Sequence, residues 1–288
     1  MASIRANAPD PASPQPRHDK RDLTYANSFE SGLQSGVIRA IEWMTGKVSI
    51  IRMVREFERR GGATGIAFWG AALDVMGIDI PTPAAQLERI PAEGPVVVVA
   101  NHPHGLVDGM VMAELISRRR SDFQILTRSV LTGLDEEASN FLIPVPFPHD
   151  PDAQRKNVEM RARAMARLKS GGLICVFPSG VVASSKTAFG PVEEAEWNVF
   201  TAQLIRRSGA AVVPIHFRGH NTRVYQVANR LSATLRQAFL LHEIVRACNK
   251  PQNPVVGHPL PPERMEMLKT DPRGFIAWLR QHTLSLED

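Results

Sequence analysis

Four apolar runs, separated by loops and stretches of helical periodicity, constrain what this 288-residue chain can fold into more than any other feature. They are "GPVVVVAN" at 94–101, "DFQILT" at 122–127, "LICVFPSG" at 173–180 and "AAVVPIHFRG" at 210–219. Each is short and bounded by turn-forming residues, which fits a strand better than a helix. A strand without polar alternation is buried on both faces, so these runs belong inside a largely parallel sheet with helices packed on either side.

The intervening segments supply those helices. Asp108 to Arg119 reads as one. In "QRKNVEMRARAMARLKSGG" Val158, Ala162, Met165 and Leu168 share a face and the glycines close the C-terminus. Glu194 to Arg207 reads as a third, helices are expected around Ala233 to Cys248, and Asp271 with Pro272 opens the last. "FLIPVPFP" reads as a loop and "NPVVGHPL" as a short extended piece. Residues 1–24 lack periodicity and are expected to form a disordered arm. Residues 25–80 form an N-terminal helical segment and 81–288 the main α/β domain. Within the helical segment Ile50, Val54 and Phe57 share one face while Lys47, Arg52, Arg55, Arg59 and Arg60 crowd the others.

With 43% hydrophobic and 22% charged residues the chain can bury a sizeable core. No apolar run approaches the roughly 20 residues needed to span a bilayer, and the first residues lack the apolar stretch of a secretory signal, so the expected location is cytoplasmic. Two cysteines, Cys175 and Cys248, give no disulfide framework. The net charge of +5 suits a nucleic acid, an anionic membrane or an acidic protein. Nucleic acid is the weakest of these, because aromatics are 6% of the chain and are not interleaved with basic residues in a recognisable module.

In an open α/β sheet, chemistry is expected in loops at the carboxyl ends of strands, and the polar residues gather there. After the first run comes Asn101-His102-Pro103-His104-Gly105, then Asp108 at the start of a helix. A histidine oriented by an aspartate can take a proton from a hydroxyl, because its ordinary pKa of about 6.5 lies near working pH and the carboxylate stabilises the imidazolium. Two other readings use the same residues. The histidines can cap backbone groups of the turn, or His102 and His104 can hold a metal ion with His149, His216, His220 or Asp108, which would make a metal-dependent hydrolase. Ser179 lacks the glycine two residues earlier that a nucleophile elbow requires.

"VVVVANHPHGLVDG" resembles the first block of the glycerolipid acyltransferase superfamily, in its hemolysin-like, lysophospholipid acyltransferase branch. "FLIPVPFP" resembles the second block, which shapes the acceptor pocket. "LICVFPSG" is similar to the third and "VVPIHFRGHN" to the fourth, a strand carrying a proline; "TGK" at 45–47 and "EWNVFTAQLIRRSG" also resemble that branch. The resemblance implies a glycerol-3-phosphate acyltransferase-like fold. It implies transfer of a fatty acyl group from a thioester, on coenzyme A or acyl carrier protein, to the hydroxyl of a lysolipid at a membrane surface, without cofactor or metal.

Carried over, His102 is the general base and Asp108 its orienter. His104 is the alternative partner of Asp108. Asn101, His104, Gly105, Phe177, Pro178, Ser179, Gly180 and Pro214 line the substrate site, with the oxyanion held by N–H groups of Phe177 to Val181 or of the turn at His104 and Gly105. Where phosphate-binding relatives carry Glu-Gly-Thr-Arg, this chain has Ser179-Gly180-Val181-Val182. Lys186, Arg218 and Arg128 are the replacement cations, and an amino-acid lysolipid suits a pocket lacking the usual arginine. The protein is then expected to sit peripherally on the inner face of the cell membrane, with Trp69, Trp278 and the basic face of Lys47 to Arg60 as anchors. A catalytically silent lipid-binding protein with the same fold is the remaining alternative.

Overall fold

The computed structural model describes residues 46–128, 137–147, 150, 152–187, 189–231 and 233–287. The expected disordered arm, the helical segment up to residue 45 with Thr45, and Pro148 and His149 lie outside the described residues.

In chain order the elements are α1 (Val48–Arg59), α2 (Ala67–Met76), a single turn α3 (Ala84–Leu87), β1 (Val96–Ala100), α4 (Leu106–Ser117), β2 (Phe123–Arg128), a 3-10 turn (Ala138–Phe141) and β3 (Leu142–Val145). They continue with α5 (Ala153–Lys169), β4 (Leu173–Val176), the two-residue strands β5 (Ser184–Ser185) and β6 (Val192–Glu193), α6 (Val199–Ser208) and β7 (Ala211–His216). Then follow α7 (Arg223–Leu231), α8 (Ala233–Ala247), β8 (Val255–Val256), α9 (Pro262–Thr270) and α10 (Pro272–Leu284).

Six strands form one sheet in the order β3-β2-β4-β1-β7-β8, parallel throughout except for β8, and β5 and β6 form a separate antiparallel ribbon. The α/β fold expected from the apolar runs is present. Successive residues of β1 point to opposite sides. Val96, Val98 and Ala100 join Ile125, Cys175, Val213 and Ile215 in a core covered by α1, α2, α4 and α8. Val97 and Val99 join Ile174, Val176 and Val212 under α5, α6, α9 and α10. Burial pushes the Cys175 thiol upward, so it packs as a small apolar group. Among the described residues no helix is long and apolar enough to cross a membrane.

Arg120, itself buried, ties the amino ends of three strands together. Its guanidinium donates to Pro91 O, Gly94 O and Gly171 O at 2.7–3.2 Å and is paired with Asp122. The opposite, carboxyl edge stays open for loops.

Five sequence expectations need correction. The face of α5 expected at Val158, Ala162, Met165 and Leu168 is instead Met160, Ala164 and Leu168, with Val158 and Ala162 exposed. Leu142–Val145 is a strand rather than a loop. It lies at the sheet edge, where Pro144 leaves no inner ladder bond unmade. The helix expected from Glu194 starts at Val199, because Asn198 caps it by accepting from Phe200 N at 2.8 Å and Glu194 turns inward. The helix expected from Asp108 starts at Leu106. Trp69 is not a membrane anchor: it is buried in the core against Phe68. Removing core volume should be costly. Ile174→Ala is expected to lower the urea midpoint by the equivalent of about 2–5 kcal/mol, whereas Val158→Ser, on the exposed face of α5, should change it by less than about 0.5 kcal/mol.

Candidate functional site

The sheet topology makes a crevice at one place. From β1 the chain enters α4 on one face of the sheet, whereas from β4, its neighbour, it leads to α6 on the other face. Loops that diverge from adjacent parallel strands leave a gap at their carboxyl ends. Residues 101–105 follow β1, residues 177–183 follow β4, and they face each other there. The ring of Phe177 stacks on that of His102, centroids 4.1 Å apart and planes 25° from parallel. Ala183 N donates to His102 O at 2.8 Å.

Asn101 anchors the turn, with Nδ2 donating to Phe217 O and Oδ1 accepting from Phe217 N, at 2.8 and 2.7 Å. This pins the end of β1 to the end of β7. Pro214 lies buried within β7. Its carbonyl accepts from Gly257 N, on the side away from β1, so its missing N–H removes nothing from the central ladder. Gly105 has φ of 78°, a conformation that favours glycine, and it lets the chain double back into α4. An added Cβ there would press on Val182 and Leu240.

The reversal brings Asp108 beneath the turn. Its carboxylate is fully buried and takes four hydrogen bonds. Oδ2 accepts from His102 Nδ1 at 3.0 Å, His104 N at 2.8 Å and Gly105 N at 3.0 Å, and Oδ1 accepts from His104 Nδ1 at 3.0 Å. The carboxylate therefore caps α4, whose N-terminal dipole favours a negative charge, and fixes both imidazoles. Sequence reasoning treated His102 and His104 as alternatives; the aspartate holds them together.

Burial acts to raise the Asp108 pKa, but the hydrogen bonds from His102 and His104 and the attraction of both rings outweigh it and hold the carboxyl at about 2. An ionised carboxylate can only accept, so both Nδ1 atoms carry hydrogen and each neutral ring keeps its lone pair on Nε2. For His104, burial opposes protonation, but the hydrogen bond and charge of Asp108, with Glu243 adding and Arg246 opposing, raise its pKa.

Glu194, missed by sequence reasoning, completes the turn. Oε2 accepts from His102 N at 3.0 Å and Oε1 from Trp197 Nε1 at 3.0 Å. The backbone carbonyls of Glu194 and Ala195 accept from Arg280 of α10. Nothing local in the sequence marks a glutamate 92 residues from His102; the only signal was its place just after the third run.

The other expected site residues divide. His102, His104, Asn101, Gly105, Phe177 and Asp108 come together. Pro178 is buried, its carbonyl accepting from Asn198 N, and Gly180 turns the loop with φ of 66°. Ser179 donates its hydroxyl to Val181 O, within its own loop, at 2.9 Å. Arg218 is exposed beside Gly219, and an added Cβ at Gly219 would lie 3.1 Å from His104 Nε2, so this loop borders the imidazoles. Arg128 ends β2, two strands from β1. Lys186 sits on the ribbon, its ammonium paired with Glu193 at 2.9 Å.

The N–H groups of His104 and Gly105 are engaged by Asp108, so that turn is not the oxyanion donor expected of it. The metal reading is also reshaped: both histidines turn Nδ1 to the carboxylate, His216 Nδ1 contacts Leu286 O and His220 Nδ1 contacts Asn221 O. Among the described residues, no three His, Cys, Asp or Glu side chains are grouped to hold an ion.

Residues 84–218 match the family described as Acyltransferase. Over 213 residues, 72% of this chain and 73% of the relative, the sequence is 24% identical to a lyso-glycine lipid O-acyltransferase of Phocaeicola vulgatus. It is likewise 24% identical over 214 residues, covering 72% of this chain and 75% of the relative, to a lyso-glycine lipid O-acyltransferase of Bacteroides thetaiotaomicron. Among solved structures, the 1-acyl-sn-glycerophosphate acyltransferase PlsC of Thermotoga maritima aligns over 77% of this chain and 80% of its own, with 15% identity and a TM-score of 0.45.

Stability should report the shared carboxylate. Asp108, depressed from its ordinary 3.8, contributes stability that is complete above that value and disappears as pH falls toward about 2. His104, raised above its ordinary 6.5, contributes stability that is complete below 6.5 and disappears as pH rises through its folded value. Asp108→Asn is therefore expected to be less stable than wild type by roughly 2 kcal/mol between about pH 4 and 6.5, with a narrower gap on either side, in urea titrations across that range.

Proposed function

We propose that this chain, whose residues 84–218 match the Acyltransferase family, is an O-acyltransferase that moves a fatty acyl group from a thioester to the hydroxyl of an amino-acid lysolipid. The observation that carries this reading is the His102–Asp108 pair, with Nδ1 held by a buried carboxylate and Nε2 keeping its lone pair.

His102 Nε2 takes the proton of the acceptor hydroxyl as its oxygen attacks the thioester carbonyl. The tetrahedral oxyanion is held by N–H groups of the loop after Phe177, the remaining source near His102. When the carbon–sulfur bond breaks, the imidazolium returns the proton to the thiolate, leaving an ester and a free thiol. Asp108 stabilises the imidazolium in between. Glu194 and Phe177 keep the ring in place from the backbone and the face. The donor is acyl coenzyme A or acyl carrier protein, and neither a cofactor nor a metal has a step.

The acceptor class rests on two supports. Ser179 and Val182 stand in the loop after β4 where phosphate-binding relatives carry charge, and the two relatives named above are lyso-glycine lipid O-acyltransferases. Arg218, exposed and next in the chain to Gly219, which borders His104, supplies a cation for a headgroup carboxylate. Such an acceptor lies in a membrane, so the protein works peripherally on its cytoplasmic face.

Incubation of the purified protein with labelled acyl coenzyme A or acyl carrier protein and a mixed lysolipid pool tests both halves. The expected product is an acylated amino-acid lipid; acylation of lysophosphatidate alone would overturn the acceptor. His102→Ala should still fold, with a melting temperature lowered by the loss of one hydrogen bond to the buried Asp108 carboxylate, and its rate below the melting transition should fall by at least about 10² to 10⁴; an unchanged rate would overturn the mechanism. Arg218→Ala should raise KM for the acceptor severalfold with kcat nearly unchanged.

A further inference from the structure

An amphipathic helix normally turns its whole apolar stripe inward, and α7 leaves part of its stripe outside. It buries Tyr225, Ala228 and Gln226, whose Oε1 accepts from Ser185 N, while Val224, Val227 and Leu231, spaced i, i+3 and i+7, line a surface groove of about 320 Å³ with Leu235 and Phe239 of α8. Leu231 is 69% exposed and Val224 53%. The β5–β6 ribbon lies against the same helix, with Arg223 and Arg230 donating to Gly190 O and Lys186 O. The ribbon adds Phe189, 85% exposed, and the loop before it Val181, 45% exposed. Four of the five large apolar side chains exposed among the described residues thus fall on these two stretches, and only Val158 lies elsewhere.

The same stretch is one-sidedly charged. From Arg218 to Leu240 the chain carries four arginines, at 218, 223, 230 and 236, and no acidic residue. It also adjoins the catalytic turn: Val182 and Leu240 close over Gly105, and Leu240 follows the groove's Phe239. The basic helix α1 differs. Its Phe57 is buried, with Ile50 and Met53 packed against the same core, so it has only charge to offer a surface.

We propose that the face formed by α7, the start of α8 and the β5–β6 ribbon is the surface on which this protein docks to an anionic lipid bilayer. Phe189, Val224 and Leu231 enter the boundary between headgroups and acyl chains, and the arginines meet the anionic headgroups. The docking rests on the lipid-acceptor reading for its purpose, but it is measured without turnover, so either can fail alone. An acceptor entering from the bilayer beside α8 reaches the imidazoles without leaving the apolar surface.

The test is co-sedimentation of the full chain with vesicles of equal parts phosphatidylglycerol and phosphatidylcholine, or of phosphatidylcholine alone, at low and high salt. Binding is expected to the anionic vesicles, to weaken with salt, and to fall about tenfold or more in Phe189→Asp/Leu231→Asp. The double variant should melt as wild type does and acylate a water-soluble, short-chain substrate pair at the wild-type rate. If it melts lower, Phe189→Ser alone, at an exposed ribbon position, should still lower vesicle binding severalfold. Wild-type protein that ignores anionic vesicles would overturn the proposal. So would variants that bind them undiminished, or a lipid-free dimer that the double variant dissolves, since the face would then join two copies of the chain.

Discussion

The buried carboxylate of Asp108 is the constraint on which the rest of the site depends. A charge removed from water is tolerated only when hydrogen bonds replace its solvation, and here two backbone N–H groups and two imidazoles do so. Those donors also determine the chemistry. Because the carboxylate cannot donate, each ring must present Nδ1–H inward, and the basic nitrogen of His102 is left for a substrate. Reactivity and stability at this turn thus arise from the same four hydrogen bonds, and a change that spares the fold while breaking the pattern is hard to make.

Much of this was legible in the sequence because burial on both faces leaves a strong mark. The runs at Val96–Ala100, Leu173–Val176 and Ala211–His216 have almost no polar residue, and their order between helical stretches leaves a parallel sheet as the simplest arrangement. The turn after β1 was legible because Gly105 and Asp108 stand at spacings that a strand-to-helix reversal uses. β3 was obscured by Pro144 and by Pro146 just beyond it, which read as loop punctuation although an edge strand accommodates Pro144. The ribbon of β5 and β6 has two residues per strand, too few for any periodicity.

The partnership of His102 with His104 shows a different limit. Spacing admits either histidine as the partner of Asp108, and choosing one assumes that a carboxylate serves one ring. The φ of 78° at Gly105 removes that assumption, because it places the backbone of His104 over Oδ2 while its ring reaches Oδ1. Glu194 was hidden for the opposite reason. Its partner is a backbone N–H, which no residue type announces, and the contact spans 92 residues.

Several groups that hold or border the catalytic turn come from beyond residues 84–218. Arg280 of α10 fixes the backbone of Glu194, Glu243 of α8 bears on His104, and Gly219 lies against the ring of His104. The carboxylate and the two imidazoles it holds sit on the turn after β1 and the first turn of α4, and that turn needs only to be held still. On the proposed reading, discrimination among acceptors falls to groups beside the imidazoles, and the elements there are the loop after β7 and α8. On that reading the base and its orienter stay fixed while the C-terminal third of the chain sets the acceptor. The absence of charge at Ser179 and Val182 then fits a division of labour on the same reading: the loop after β4 is left to shape the oxyanion side, and recognition of the headgroup falls to the segment that begins at Arg218.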